Sequence, residues 1–200
     1  PFFEFTREFM SLEPEAWSLR WYRQMVGISS IGDTTVVTDK WMLGTRNSFI
    51  VGISATFLAT ALGTVAALGL SRPHMPFKGT IMAILISPMI VPLIITAAGM
   101  FFFYSKVGLT HSYLGLILAH TALGTPFVVI TVTATLTGFD TNLIRASQSL
   151  GADTMRTFFK VIMPLILPGV ISGALFAFIT SFDEVVVVMF VGSCLLYTSP

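Results

Sequence analysis

The sequence predicts an all-α, polytopic membrane fold, and three features carry that expectation. Apolar residues make up 54% of the 200 residues and charged ones only 10%, against about 25% charged in a soluble domain. The apolar residues gather in four windows, 47–70, 80–104, 112–139 and 161–191, which hold no Asp, Glu, Lys or Arg apart from Asp183 and Glu184. Each window exceeds the roughly 20 residues that a helix needs to cross the hydrocarbon core. Lipid forces backbone hydrogen bonds to close within each segment, so such windows fold as helices. The ten-residue alternating stretches of a membrane barrel are missing from the sequence.

The windows justify themselves in order. The first, 47–70, is uncharged and rich in small residues. The second, 80–104, carries Pro88 and Pro92. The third, 112–139, carries Pro126 and His120. The fourth, 161–191, carries Pro164, Pro168 and the GxxxG match "GVISG" at 169–173. A proline removes an amide donor and bends a helix. Two readings of these prolines stand side by side: routine kinks of a packed bundle, or hinges of a bundle that alternates between states. Small residues suit close helix contact in lipid, although that pattern is common to polytopic proteins generally.

Asp183 and Glu184 lie about 20 residues into the fourth window, or ~30 Å along a helix. That depth is near one membrane face. A carboxylate at mid-bilayer costs about 2.5–3.5 kcal/mol on insertion scales, so such residues usually face a cavity or a partner. Two readings again fit: a pair satisfied at the interface or by other helices, or a path lining that attracts a cationic solute.

The connections give an orientation. The 71–79 segment holds Arg72 and Lys78 with no acid, and the 140–160 segment holds Arg145, Arg156 and Lys160 against Asp140 and Asp153. Positive charge in short loops favours the cytoplasmic side. Four spans put both segments on that side. Residues 1–46, with five Lys/Arg and six Asp/Glu, and the 105–111 loop then face outward. Residues 1–46 are therefore expected as a periplasmic loop segment, in which 14–25 reads either as an interfacial amphipathic stretch or as plain loop. An upstream helix is expected before Pro1. The tail 192–200 changes character abruptly and is expected to be truncated or non-native.

Composition also narrows the function. A net charge of +1 offers no general attraction to nucleic acid. The single cysteine, Cys194, excludes an internal disulfide framework and a Cys-based zinc site. The three histidines lie far apart without metal-ligand spacing. A membrane-embedded enzyme would need His, Asp or Ser clustered at one depth, and the spans show no such cluster. No Walker A pattern occurs, so an ATP-driven pump would draw its energy from another chain.

The polar insert between the third and fourth windows, "NLIRASQSLGADTMRTFFKVIMPLILPG", reads as two short helices around a turn. Gly151 breaks the first, and Asp153 caps the second. Leu143, Ile144 and Leu150 give the first an apolar side, and Met155, Phe158 and Phe159 give the second another. Such a pair suits docking into a groove on a partner and equally suits lying on the lipid surface.

This insert resembles the EAA loop of bacterial ABC-importer permeases, the inner-membrane components of binding-protein-dependent transport systems. The family pattern is E-A-A, three residues, G, nine residues, then I-x-L-P. Arg145, Ala146 and Ser147 stand at E-A-A, Gly151 at the Gly, and Val161, Met163 and Pro164 at I, L and P. Arg replaces the leading acid and Ser the second Ala, while the spacing is intact. The resemblance extends over about 45–191, and "SFDEVVVVMF" is most similar to the polyamine branch, specifically the second permease of spermidine/putrescine importers. "SLRWY" at 18–22 is similar as well.

The resemblance implies a type I ABC-importer transmembrane domain with six spans, of which the first and sixth are expected to lie beyond the ends of this chain. It implies a permease subunit without its own ATPase site and without a cofactor, ATP being bound by a partner. The implied partners are cytoplasmic ABC ATPase subunits docked on a coupling loop at 140–160, a second permease subunit, a periplasmic solute-binding protein and the lipid bilayer of the bacterial inner membrane. Asp183 and Glu184 become candidates for the path of a polycation. A permease for another solute (iron, opine or thiamine) and a secondary transporter are the alternatives.

Overall fold

The computed structural model describes residues 3–4, 16–17, 35–72, 74–140 and 142–192. Two compact units divide the chain, one of residues 1–48 with 194–200 and one of 49–193. In the first, Phe3–Glu4 (β1) pairs antiparallel with Ala16–Trp17 (β2), with Phe3 opposite Trp17. The rest of 1–34, including most of the aromatic stretch 14–25 and all of 18–22, lies outside the described residues, as does the tail from 193 onward.

Helix α1, Thr35–Leu70, begins well before the first apolar window. The hydropathy pattern marks only the part fit to cross lipid, which is Met42–Leu70. The turn ahead of it, with Asp39 and Lys40, is compatible with helix and too polar to add to the apolar window.

The second window is not one straight helix. It splits into α2, Lys78–Ile90, and α3, Leu93–Val107, bent by 103° at the break. Pro92 has no N–H, and its ring disfavours helical backbone in the residue before it. Val91 accordingly adopts an extended conformation, φ −73° and ψ 135°, while its own N–H still bonds Ser87 O. Pro92 then serves as the N-cap of α3. With 13 and 15 residues, each arm is only about 20 Å long, shorter than the ~30 Å hydrocarbon core.

The turn after α3 uses Gly108 at φ 71°. Ser112 caps α4, Tyr113–Thr137, by accepting from Gly115 N–H. Helix α4 is the most enclosed element of the bundle. After a polar elbow comes the last long helix. It runs through α6, Thr154–Thr157, a π-helical turn at Phe158–Ile162, and α7, Met163–Asp183. The fourth window extends to 191, but helix stops at Asp183. Glu184 is extended, and a second π-helical turn follows at Val188–Gly192. Among the described residues, three helices are long and apolar enough to span a membrane, or four if the bent pair counts as one.

Helix α4 lies between α1 and α7. Ala59 and Ala67 of α1, Val128 and Val132 of α4, and Ile166, Val170 and Ala177 of α7 form one buried cluster. A second joins Ala97 and Tyr104 of α3 to Ala119 and Leu123 of α4 and to Val187 and Val191. In lipid, burying a valine gains no hydrophobic free energy, so contact must come from close dispersion packing. The GxxxG pair supplies it. A Cβ on Gly173 would sit 2.5 Å from Thr131 Oγ1 and 2.8 Å from Val128 Cα, and one on Gly169 would collide with Thr135 Oγ1. Both glycines of the motif therefore face α4.

Candidate functional site: the elbow at 140–164 and the break at Asp183–Glu184

The elbow is built by two helix-end devices in sequence. Helix α5, Asn142–Ser149, starts behind Asp140, whose Oδ1 accepts from Asn142 N–H at 2.9 Å. It ends in a Schellman motif: Ala152 N–H bonds Ser147 O at 3.1 Å and Gly151 N–H bonds Gln148 O at 2.9 Å. That closure needs a left-handed residue, and Gly151 has φ 81°. Two residues later Asp153 caps α6, its Oδ1 accepting from Arg156 N–H at 2.7 Å. The chain thus reverses over Leu150–Asp153 between a closed helix end and a capped helix start.

The two arms are tied across the turn. Ser147 Oγ and Thr157 Oγ1 lie 2.6 Å apart, and Ser147 Oγ also reaches Ile144 O at 3.3 Å. Thr157 is only 2% exposed. A net 0.5–1.5 kcal/mol, roughly, is typical of such a bond. Ser147 stands where the family pattern has its second Ala, so this departure adds a contact that Ala could not make. The spacing pointed to Ser147 but not to Thr157, because the pairing joins residues ten positions apart through a turn.

Of the other motif residues, Arg145 and Ala146 lie exposed on α5, and Val161 is half-buried within the π-helical turn. Met163 packs with Ile162 against the α1–α4–α7 cluster, and Pro164 falls in the first turn of α7. The motif therefore has two parts: an outward elbow, and a root in which Val161 and Met163 are half-buried and Pro164 is exposed. The π-helical turn joining them sits just before Pro164, where the proline ring would press on the carbonyl four residues earlier. Widening the turn relieves that clash, and Met163 N–H bonds Phe158 O instead. At the tip, Leu150 is 88% and Met155 67% exposed, beside exposed Arg145 and Arg156.

Asp183 and Glu184 sit at the far end of the same helix from the elbow. Thr154–Asp183 spans 30 residues, or ~45 Å. The two acids are not alike. Asp183 is exposed. Glu184 is half-buried, and its Oε1 accepts from Val187 N–H at 3.0 Å, capping the short turn after the helix break. Nearby, the buried His120 of α4 joins Ser181 of α7, Nδ1 to Oγ 2.8 Å. His111 N–H bonds Val191 O at 2.9 Å, so the loop before α4 and the segment after Glu184 meet at this end. No group of three or more His, Cys, Asp or Glu suited to a metal occurs among the described residues.

Long apolar helices, a proline-broken span and a polar elbow rooted in the bundle define a multi-pass membrane protein of the transport-permease type. The profile of the family described as binding-protein-dependent transport system inner membrane component matches residues 59–196. The chain belongs to that family. It is 30% identical over 187 residues to the spermidine/putrescine transport system permease protein PotC of Haemophilus influenzae, covering 94% of this chain and 69% of the relative. It is 27% identical over 177 residues to PotC of Escherichia coli K12, covering 88% and 63% respectively. It is 29% identical over 185 residues to the putrescine transport system permease protein PotI of the same strain, covering 88% and 61%. The chain thus spans about two thirds of the length of these curated relatives, and its similarity to ABC-importer permeases near PotC agrees with the resemblance carried by the elbow.

Proposed function

We propose that this chain is the permease subunit of an ATP-driven ABC importer for a polyamine of the spermidine/putrescine kind, in the bacterial inner membrane. The observation that carries the reading is the elbow: a turn closed by Gly151 and Asp153 at the spacing of the EAA pattern, with Leu150 and Met155 exposed at its tip. An apolar tip flanked by Arg145 and Arg156 suits a groove on a cytoplasmic ATPase, which would bind the ATP. The permease needs no cofactor of its own in this reading. The names of the relatives support the solute class, and the basic segments support a cytoplasmic elbow. A second permease subunit would complete the path, and a periplasmic solute-binding protein would deliver solute to the Asp183 end. ATP must favour one conformation of the assembly over the other for the spans to move, and the root at Val161, Met163 and Pro164 passes that bias from elbow to bundle.

The two acids then have different roles. Asp183 is the free carboxylate for a polycation, while Glu184 mainly holds the break open. In the reconstituted transporter, Asp183→Asn is expected to lower spermidine uptake severalfold at subsaturating solute with normal protein yield. Glu184→Ala is expected to lower yield and thermal stability, losing about 1 kcal/mol as a helix cap. Unchanged uptake in Asp183→Asn would remove the carboxylate argument for cations and favour another solute.

A further inference from the structure

Under the elbow lies a cleft of about 400 Å³ between it and the ends of α1 and α4. Its walls are apolar: Leu68 and Leu136 on the bundle side, Ile144 and Phe158 on the elbow side. Its polar lining includes Arg72, Gln148 and Thr157. Arg72 is its single charged lining residue. The guanidinium has no ion pair or hydrogen bond with any described residue, and no Asp or Glu lines the cleft. The site therefore joins an uncompensated cation to a greasy floor.

We propose that this cleft holds an anionic phospholipid, with the headgroup phosphate on Arg72 and an acyl chain between α1, α4 and the Phe158 turn. A soluble anion would use Arg72 and leave the apolar walls in water. A neutral lipid would use the walls and leave the arginine bare. A chain-bearing phosphate uses both, and basic pockets between helices at the cytoplasmic face suit such headgroups. Because Ile144, Gln148, Thr157 and Phe158 all line the cleft, the lipid lies between elbow and bundle and braces one against the other. Lipid binding follows from the cleft alone and does not depend on the identity of the transported solute or on an ATPase.

The test is retention of lipid by the purified full-length protein in neutral detergent. Phosphatidylglycerol or phosphatidylcholine is added, and bound lipid is counted by native mass spectrometry. One retained phosphatidylglycerol per chain is expected, with phosphatidylcholine held much more weakly. Arg72→Gln is expected to weaken phosphatidylglycerol about fivefold, the scale of one basic residue at an anionic surface. Arg72→Lys is expected to keep most of it, and Lys106→Gln, at the other end of the bundle, to change nothing. Arg72 is exposed, so the variants are expected to fold, and an unchanged elution volume checks this. Inorganic phosphate at millimolar concentration is expected not to displace the lipid. Equal retention by Arg72→Gln, equal binding of phosphatidylcholine, loss in Lys106→Gln to the same degree, or displacement by free phosphate would each overturn the assignment.

Discussion

Gly151→Val is expected to abolish uptake by at least tenfold while the protein still inserts and ATP is still hydrolysed by the assembled transporter. The residue sits at φ 81°, and a Cβ there would meet nothing within 4 Å. The penalty is thus purely backbone. A left-handed conformation costs an ordinary L-residue roughly 1–2 kcal/mol, and more for a β-branched one. The span helices do not rely on this turn, but the Schellman closure and the placement of Asp153 both do. The elbow then relaxes its angle and presents Leu150 and Met155 wrongly. Asn tolerates the left-handed region better, so Gly151→Asn is expected to retain a substantial part of the uptake. Measuring uptake and hydrolysis in parallel for the two variants separates a turn effect from general damage. Coupled transport at the normal rate in Gly151→Val would contradict the turn.

Gly173→Val acts on the bundle instead. The added carbons would meet Thr131 Oγ1 and the Val128 backbone at 2.5–2.8 Å. A backbone atom cannot swing away as the tip of a side chain can, so α7 must separate from α4. Overpacking a tight site costs typically 1–3 kcal/mol, and here the separation also loosens the Val128–Val170 cluster. Folded protein recovered from the membrane is expected to fall severalfold, with a lowered unfolding temperature. Gly99→Val is the control, because a Cβ there meets nothing within 4 Å. Equal stability of the two variants would show that the α4–α7 contact is not as close as described.

The all-α, apolar-helix character of the chain and the helix-turn-helix character of 140–160 were legible in the sequence, and the reasons are local. A run of twenty uncharged residues has one way to satisfy its backbone in lipid, and a glycine followed two residues later by Asp closes one helix and opens another. The break at Val91–Pro92 was less legible. Pro126 and Pro168 also lie inside spans, yet α4 and α7 pass through them as helix. The same residue type bends one span by 103° and is passed as helix in others, whether buried like Pro126 or exposed like Pro168, so a proline in an apolar window does not by itself mark a break. The end of the last long helix at Asp183 was hidden for a related reason: "EVVVVMFV" is as apolar as any helix, and hydropathy does not register that Glu184 bonds the amide of Val187. The Ser147–Thr157 bond joins the two elbow arms through tertiary geometry, which composition and spacing leave unstated.

Docking of a separate ATPase on the elbow tip is the proposal from which the coupling predictions follow. A photo- or thiol-reactive crosslinker at Leu150→Cys, in a Cys194→Ser background, tests it in membranes carrying the assembled transporter. The predicted result is a covalent adduct with the ATPase subunit at residue 150 and none from a cysteine placed at Ile84, on exposed α2. Adducts from residue 150 to lipid alone, with the ATPase present and active, would contradict it.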